Sequence, residues 1–355
     1  NIYVWGRNDN GQLPSVSSGN YSAPFKLSNS GSLISADSIT QIGFTLYSGY
    51  ALTNSGKLHV WGLGSTSNIV NGTGKVQSDP IELTAQSNVY SYAASANVSN
   101  VLSGKTVVKV SPGVNTMYAL TSDGSLYAWG YNGYGQFGNG NTTSTTYPVL
   151  IPQTNFGSKT IVDIHSNQGN LIVLCSDGTI YAAGQNYTST LSAINNGSLT
   201  YTRVEKIFKA DLNTGSFIVQ AKDGQIHATA PNGSYALGIN QNATFTTFYN
   251  LSTDTSFARV TAGKQIVLVR GSATATSTAY NYYLAADGSL YSTGNNANGQ
   301  LNTNNTTTYQ YLQQVNSNGT INGETVVDIS TLPSNAYFVT CSNKSAVTGE
   351  NTYCL

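Results

Sequence analysis

Residues Gly133-Tyr134-Gly135-Gln136-Phe137-Gly138 spell G-x-G-x-x-G. In a nucleotide-binding loop that spacing lets backbone approach a pyrophosphate whose charge rests on the first amides of the following helix, so the chemistry needs a strand before and a helix after. The next segment, residues 138–146, is instead rich in Gly, Asn and Thr and has no helical period. Two related stretches, Trp5-Gly-Arg-Asn-Asp-Asn-Gly-Gln-Leu13 and Thr293-Gly-Asn-Asn-Ala-Asn-Gly-Gln-Leu301, replace the first glycine of the fingerprint by Asp9 and Ala297. The element common to all three is Asn-x-x-Gly-Gln-Leu/Phe, a turn-forming loop in which Gly135 is the needed glycine. No cofactor is expected.

The remaining polar side chains divide the same way. Asp123, Asp177, Asp223 and Asp287 each precede a glycine, where a short carboxylate bonds its own backbone and shapes a turn. His59 and His227 stand where other copies of the same stretch have Tyr, which makes them packing residues. His165 follows an apolar run with no metal-ligand spacing around it. The segment Arg7-Asn-Asp-Asn-Gly11 resembles the start of a calcium loop but lacks the distal Glu. Gly-x-Ser-x-Gly, His-Glu-x-x-His and Cys-x-x-Cys patterns are absent from the sequence. The sequence therefore predicts a non-enzyme without catalytic, cofactor or metal residues.

These residues recur because the chain repeats. Thr121-Ser-Asp-Gly-Ser-Leu-Tyr-Ala-Trp-Gly130 returns at 53–62, 175–184, 221–230 and 285–294, a partial copy opens the chain, and a weak one closes it at 348–355. Each copy reads as a hairpin whose Asp-Gly turn suits two central residues of positive φ. Strand-like runs precede most hairpins, at 106–113, 160–166, 257–263 and 325–330, and Pro-led runs come after at 24–27, 80–83 and 148–151. Four short strands per unit, without an amphipathic run long enough for a helix, describe the blade of a β-propeller. The Tyr/His anchors fall near residues 3, 59, 127, 181, 227, 291 and 353. The expectation is one all-β domain over 1–355, a closed β-propeller of seven or alternatively six four-stranded blades. Its ends, both near a third strand, are expected to lie side by side.

The string Asp123-Gly-x-Leu-Tyr-x-Trp-Gly-x-Asn-x-x-Gly-Gln-Phe-Gly138 resembles the repeat of the regulator of chromosome condensation family. The resemblance covers nearly the whole chain, weakening in the fourth and fifth copies, and implies a propeller of about seven blades. It also implies one functional alternative, a guanine nucleotide exchange factor associated with chromatin. The resemblance implies that some secreted members carry a Cys pair on the two strands of the last hairpin, which makes Cys341–Cys354 a candidate disulfide if the register suits, with two buried thiols as the other reading. Cys175 is expected to be a buried thiol.

Composition argues for a different setting from the nucleus. Charged residues make up 8% of the chain, and Lys plus Arg and Asp plus Glu balance at 15 each. Nucleic acids and anionic membranes are bound through clustered basic residues, so neither is an expected partner, and no apolar run is long enough to span a bilayer. A start at Asn1 reads as a processed chain or a fragment. N-x-S/T sequons occur at Asn20, Asn71, Asn97, Asn141, Asn186, Asn196, Asn232, Asn242, Asn250, Asn304, Asn305, Asn318 and Asn343. Tyr131, Tyr134, Tyr187, Tyr235, Tyr309 and Tyr311 lie in or beside loops, where flat rings with polar tips suit a binding surface. The expected function is a secreted, glycosylated structural or adhesive propeller that engages other protein subunits, with self-assembly into a polymer or filament open. A carbohydrate-binding lectin, meeting glycans through its blade loops, is the second alternative.

Overall fold

The computed structural model describes residues 3–11, 13–14, 19–26, 38–45, 47–63, 76–85, 90–91, 97–98, 101–167, 169–200, 202–208, 217–231, 235–272, 278–315, 325–332 and 335–341. The chain divides into two compact units, residues 1–176 with 180–193, and residues 177–179 with 194–355.

The first unit opens on the pair β1 (Tyr3–Gly6) and β2 (Tyr21–Lys26). Three four-stranded antiparallel sheets come next, each in plain sequential order. They are β3 (Ile39–Phe44), β4 (Ser48–Thr53), β5 (Leu58–Leu63) and β6 (Val76–Glu82); β9 (Val107–Pro112), β10 (Thr116–Thr121), β11 (Leu126–Gly130) and β12 (Thr145–Leu150); and β13 (Ile161–Ser166), β14 (Asn170–Cys175), β15 (Ile180–Gly184) and β16 (Ser192–Ala193). A small pair, β7 (Tyr90–Ser91) and β8 (Asn97–Val98), sits between the first two sheets in the chain.

The second unit holds two such sheets: β17 (Val204–Phe208), β18 (Phe217–Ala221), β19 (Ile226–Pro231) and β20 (Thr244–Asn250); then β21 (Ile266–Ser272), β22 (Tyr280–Ala285), β23 (Leu290–Gly294) and β24 (Tyr309–Gln314). It ends on the pair β25 (Thr325–Leu332) and β26 (Asn335–Cys341). By their place in the repeat, β25 and β26 are first and second strands, and β1 and β2 are third and fourth. Six anchors, Tyr3, His59, Tyr127, Tyr181, His227 and Tyr291, thus lie in third strands, while Tyr353 falls outside the described residues, as does the expected meeting of the chain ends.

The cores lie between sheets. Side chains of a strand alternate between its two faces, and in β10 Met117 and Ala119 pack toward β4 and β5, whereas Tyr118 and Leu120 pack toward β14 and β15. Burial on both faces is why β4, β10, β14 and β22 are buried at every position, the polar Ser48, Thr116, Asn170 and Asn281 included. The second unit repeats the scheme between β18–β19 and β21–β23, and between β22–β23 and β25. Prolines 24, 80 and 148 sit in fourth strands, at sheet edges where a missing amide costs little.

Two local expectations are revised. The Asp-Gly turns are not two-residue turns with paired positive φ. Gly124 donates to Thr121 O at 2.9 Å, Thr121 donates to Ser125 O at 3.0 Å, and only the glycine has positive φ, +80°. This is a type I turn followed by a left-handed glycine, the three-residue hairpin solution; the aspartate keeps an ordinary φ and caps the turn instead. The run at 257–263 is not a first strand. Residues Thr255–Thr261 form the helix α1, because Asp254 caps it by accepting from Ser256 N at 2.9 Å and Phe257 N at 3.3 Å, and the first strand of that blade moves to Ile266–Ser272. The runs at 106–113, 160–166 and 325–330 do supply first strands, β9, β13 and β25.

Candidate functional site

In a four-stranded meander the 1–2 and 3–4 connections share one end of the blade, and the 2–3 turn takes the other. Charge thins out at the 3–4 end of four blades but not of all: the 3–4 connection after β1 carries Arg7 and Asp9, the one after β5 carries Lys75, and the 1–2 connection after β17 carries Lys209 and Asp211. The 3–4 connections 131–144, 185–191, 232–243 and 295–308 contain no Asp, Glu, Lys or Arg. The 2–3 turns carry Asp123, Asp177, Asp223 and Asp287, three of which pair with cations: Lys105 at 2.6 Å, Arg203 at 3.5 Å and Lys264 at 2.9 Å, in the order Asp123, Asp177, Asp287. All four cap their turns, each Oδ1 accepting from the amide two residues on at 2.9–3.1 Å. Their predicted turn role therefore accounts for them.

One of these uncharged connections, 131–144, contains the stretch that spelled a nucleotide fingerprint. It runs into β12, not into a helix. Asn132, fully buried, accepts from Phe137 N at 2.8 Å and donates to Asn141 O at 3.0 Å, so one amide side chain holds both limbs of the loop. Gln136 accepts from Tyr134 N at 3.0 Å, and Tyr118 Oη donates to Gln136 O at 2.8 Å. Gly135 has φ +72°, and a Cβ there would stand 2.4 Å from Ser189 Cβ. The loop that these bonds freeze presents Tyr131 and Tyr134, edge to face with centroids 5.6 Å apart. Tyr134 is 47% exposed and lies over Gly169, beside Gln185. Gly133 is small because Tyr131 Oη occupies the place its Cβ would take. The result is a rigid corner of two aromatic rings among amides and hydroxyls. Elsewhere in the same unit Trp5, 59% exposed, and Phe44, edge to face with Trp61 at 6.2 Å, add further uncharged aromatic surface.

Of the other loop tyrosines, Tyr187 and Tyr235 are partly buried and Tyr309 is partly buried at the start of β24, while Tyr311 is exposed. His59 and His227 are buried in β5 and β19, as packing residues. His227 Nδ1 lies 2.7 Å from Ser198 Oγ, which donates to Phe248 O, and burial holds its pKa below the ordinary histidine value against the pull of Asp223. His165 has a neighbour that sequence reading passed over. In β13 Asp163 and His165 share a face, the period-2 signal that could have found them, and their side chains meet at 2.9 Å. Lys109 of β9 pairs with Asp163 and comes within 3.3 Å of His165. Burial alone would raise the Asp163 pKa, but His165 and Lys109 outweigh it and hold the carboxyl near 2. A one-residue bulge, repeated in every described first strand, delivers Lys109 and Asp163 to equivalent posts. The cluster is an interstrand ion network, and among the described residues there is no group of three metal-ligating side chains.

Seven sequon asparagines are exposed: Asn20, Asn141, Asn186, Asn196, Asn242, Asn304 and Asn305. Asn141 and Asn305 hold the same post in two blades, each Oδ1 accepting from the amide of its own sequon threonine at 2.9 Å. Asn250 is partly buried, and Asn97 lies in β8. Asn71, Asn232, Asn318 and Asn343 fall outside the described residues, as does Cys354, and with it the Cys341–Cys354 pairing. Cys175 is a buried thiol in β14, 1% exposed. No helix among the described residues is long and apolar enough to cross a membrane.

Sheets of this form, each burying both faces against its neighbours, are the blades of a β-propeller. Residues 107–136 and 123–169 match models of the regulator of chromosome condensation (RCC1) repeat. The chain resembles Prp20p of Saccharomyces cerevisiae, a structure described with its binding properties to Gsp1p and histones, at a TM-score of 0.71 and 16% identity, over 98% of this chain and 78% of that one. Among curated proteins it is 29% identical to the human E3 ubiquitin-protein ligase HERC2 over 42% of this chain and 3% of the relative. It is 26% identical to the ultraviolet-B receptor UVR8 of Arabidopsis thaliana, over 42% of this chain and 41% of the relative. The chain thus spans a small part of the first and under half of the second. Residues 107–169 therefore carry RCC1-like repeats, and the chain has the propeller fold.

Proposed function

We propose that this propeller is a non-catalytic binding scaffold, a secreted and glycosylated structural or adhesive protein that engages other protein subunits through its four uncharged 3–4 connections. The observation that carries the reading is the absence of charge from four 3–4 connections, set against the rigid Tyr131–Tyr134 corner. Aromatic rings flanked by amides bind with little loss of side-chain entropy, and a neutral surface selects neutral partners. A second copy of this chain is one such partner, and polymerisation into filaments is the form that self-recognition would take.

Exchange activity on a chromatin-bound GTPase is the competing reading. The likeness to Prp20p supports it through fold alone, and fold does not imply function. Chromatin association favours basic segments, whereas Lys plus Arg equals Asp plus Glu here. A lectin role draws on the same corner as the favoured reading.

Electron microscopy and native mass measurement of the secreted chain, before and after enzymatic removal of N-glycans, test the proposal. Glycan mass together with concentration-dependent assembly that Tyr134→Ser abolishes is the expected result. A bare monomer at high concentration, with stimulated nucleotide release from a GTPase, overturns it. Saturable binding on a glycan array, lost in Tyr134→Ser, would move the corner to the lectin reading.

A further inference from the structure

Three seams between blades are closed by the same backbone bond. At each, the glycine of the 2–3 turn offers its carbonyl to the first strand of the next blade: Gly56 O accepts from Val107 N at 2.9 Å, Gly178 O from Val204 N at 3.1 Å and Gly288 O from Val326 N at 3.3 Å. The Gly124 and Gly224 turns make no such bond among the described residues, and a Cβ built on either glycine meets nothing within 4 Å. In both cases a helical turn precedes the next first strand, Gln153–Phe156 in one and α1 in the other. Beyond the Gly224 turn, Phe257 of α1 stands edge to face against Tyr283 at 5.3 Å. Side chains span this seam in place of the backbone bond: Gln220 Nε2 lies 3.5 Å from Gly224 O and 3.4 Å from Ile266 O, and Lys206 Nζ donates to Val267 O at 3.2 Å. A cavity of about 380 Å³ remains beside the turn.

The lining of this cavity has a definite chemistry. Ile226, Phe257 and Ile266 supply apolar wall, and Asp223 and Lys264 supply opposite charges. Lys264 is already engaged, by Asp287 at 2.9 Å and Ser289 Oγ at 2.8 Å. At the Gly124 turn the neighbouring Asp123 is likewise engaged, by Lys105. Asp223 differs: it is the one turn aspartate of the four with no cation within 4.0 Å among the described residues, one oxygen serving Gln225 N at 3.0 Å. An exposed carboxylate with no lysine or arginine partner, beside apolar wall, suits a cation carried on a hydrocarbon stem. The stem gains by burial, and the ammonium gains a charge-assisted bond.

We propose that the cavity between the Asp223-Gly224 turn and helix α1 is a binding site for an alkylammonium group, the side chain of a partner's lysine or a free aliphatic amine. It is independent of the Tyr131–Tyr134 corner and of the function proposed for it. The Asp223 carboxylate receives the ammonium, and the Phe257 and Ile266 side chains line the path of the stem.

Titration of the full chain with Nα-acetyl-lysine methylamide, its norleucine counterpart and 1-aminobutane, followed by NMR, tests this. The expected result is saturable shifts at Asp223, Gln225 and Lys264 with both amines and none with the norleucine compound. Tighter binding of the lysine compound than of 1-aminobutane points to a protein side chain as the natural occupant, and the reverse to a free amine. Asp223→Asn keeps the oxygen that Gln225 needs, so the turn survives, and it should weaken amine binding about tenfold or more, the factor that corresponds to a charged hydrogen bond. Ala258→Phe, which fills the cavity, should abolish binding while Asp223 remains. Equal binding of the norleucine compound, unchanged affinity in Asp223→Asn, or the absence of shifts at the cavity overturns the proposal.

Discussion

Asn132 accepts a hydrogen bond from Phe137 N at 2.8 Å, and Asn296, in another blade, stands in the same relation to Leu301 N at 2.9 Å. Both donate through Nδ2 to the carbonyl nine residues on, Asn141 O at 3.0 Å and Asn305 O at 2.8 Å. Asn8 repeats the first half, accepting from Leu13 N at 2.8 Å. A buried amide that closes a loop from inside explains why Asn recurs in Asn-x-x-Gly-Gln-Leu/Phe while the residues around it vary from copy to copy.

Asn132→Ala is therefore expected to destabilise the chain by roughly 1–3 kcal/mol, since it strands the buried amide of Phe137, at about that cost, and takes the side-chain donor from Asn141 O. Urea denaturation should show a lower midpoint at unchanged slope. A loss below about 0.5 kcal/mol, within the range of ordinary surface substitutions, would show that the clamp is redundant.

The repeat, and with it the propeller, could be read from the hairpin string because period-2 strands and Asp-Gly turns are local signals. The clamp was half legible: Asn132 and Gln136 stood out by recurrence, but their partners Asn141 and Thr116 are supplied by folding. Helix α1 was misread as a strand because Phe257, Val260 and Thr261 favour strands and only the cap at Asp254 reverses the choice. The Lys109–Asp163 pair joins residues 54 positions apart, and no spacing rule reaches across blades. The cavity at the Gly224 turn was invisible for a related reason, since that turn is spelled like the closed ones.

Gly124 and Gly135 separate conformational strain from collision. Both have positive φ, +80° and +72°, but a Cβ on Gly124 meets nothing within 4 Å, whereas one on Gly135 stands 2.4 Å from Ser189 Cβ. Gly124→Ala should cost about 1–2 kcal/mol, the left-handed penalty alone. Gly135→Ala should cost at least about 1 kcal/mol more, because overpacking adds to it. Thermal unfolding of the two variants side by side checks the order, and equal losses would mean that the chain at Ser189 yields freely.

Acid should weaken the fold in two separate legs. His227 has a folded pKa below its ordinary value, so its contribution is complete above about pH 6.5 and is lost as pH falls through the lowered pKa. Asp163 has a folded pKa near 2 against an ordinary value near 4, so its contribution, about 2 kcal/mol, is complete above about pH 4 and is lost toward pH 2. Urea midpoints measured at pH 7.5, 5 and 3 should therefore fall twice. His227→Gln should flatten the first fall and leave the second, while Asp163→Asn should leave the first and reduce the second, the ion-paired Asp123 and Asp287, whose carboxyls are also held low, supplying the remainder. A single fall that neither substitution alters would place the acid sensitivity in other groups and remove the Lys109–Asp163–His165 network as its source.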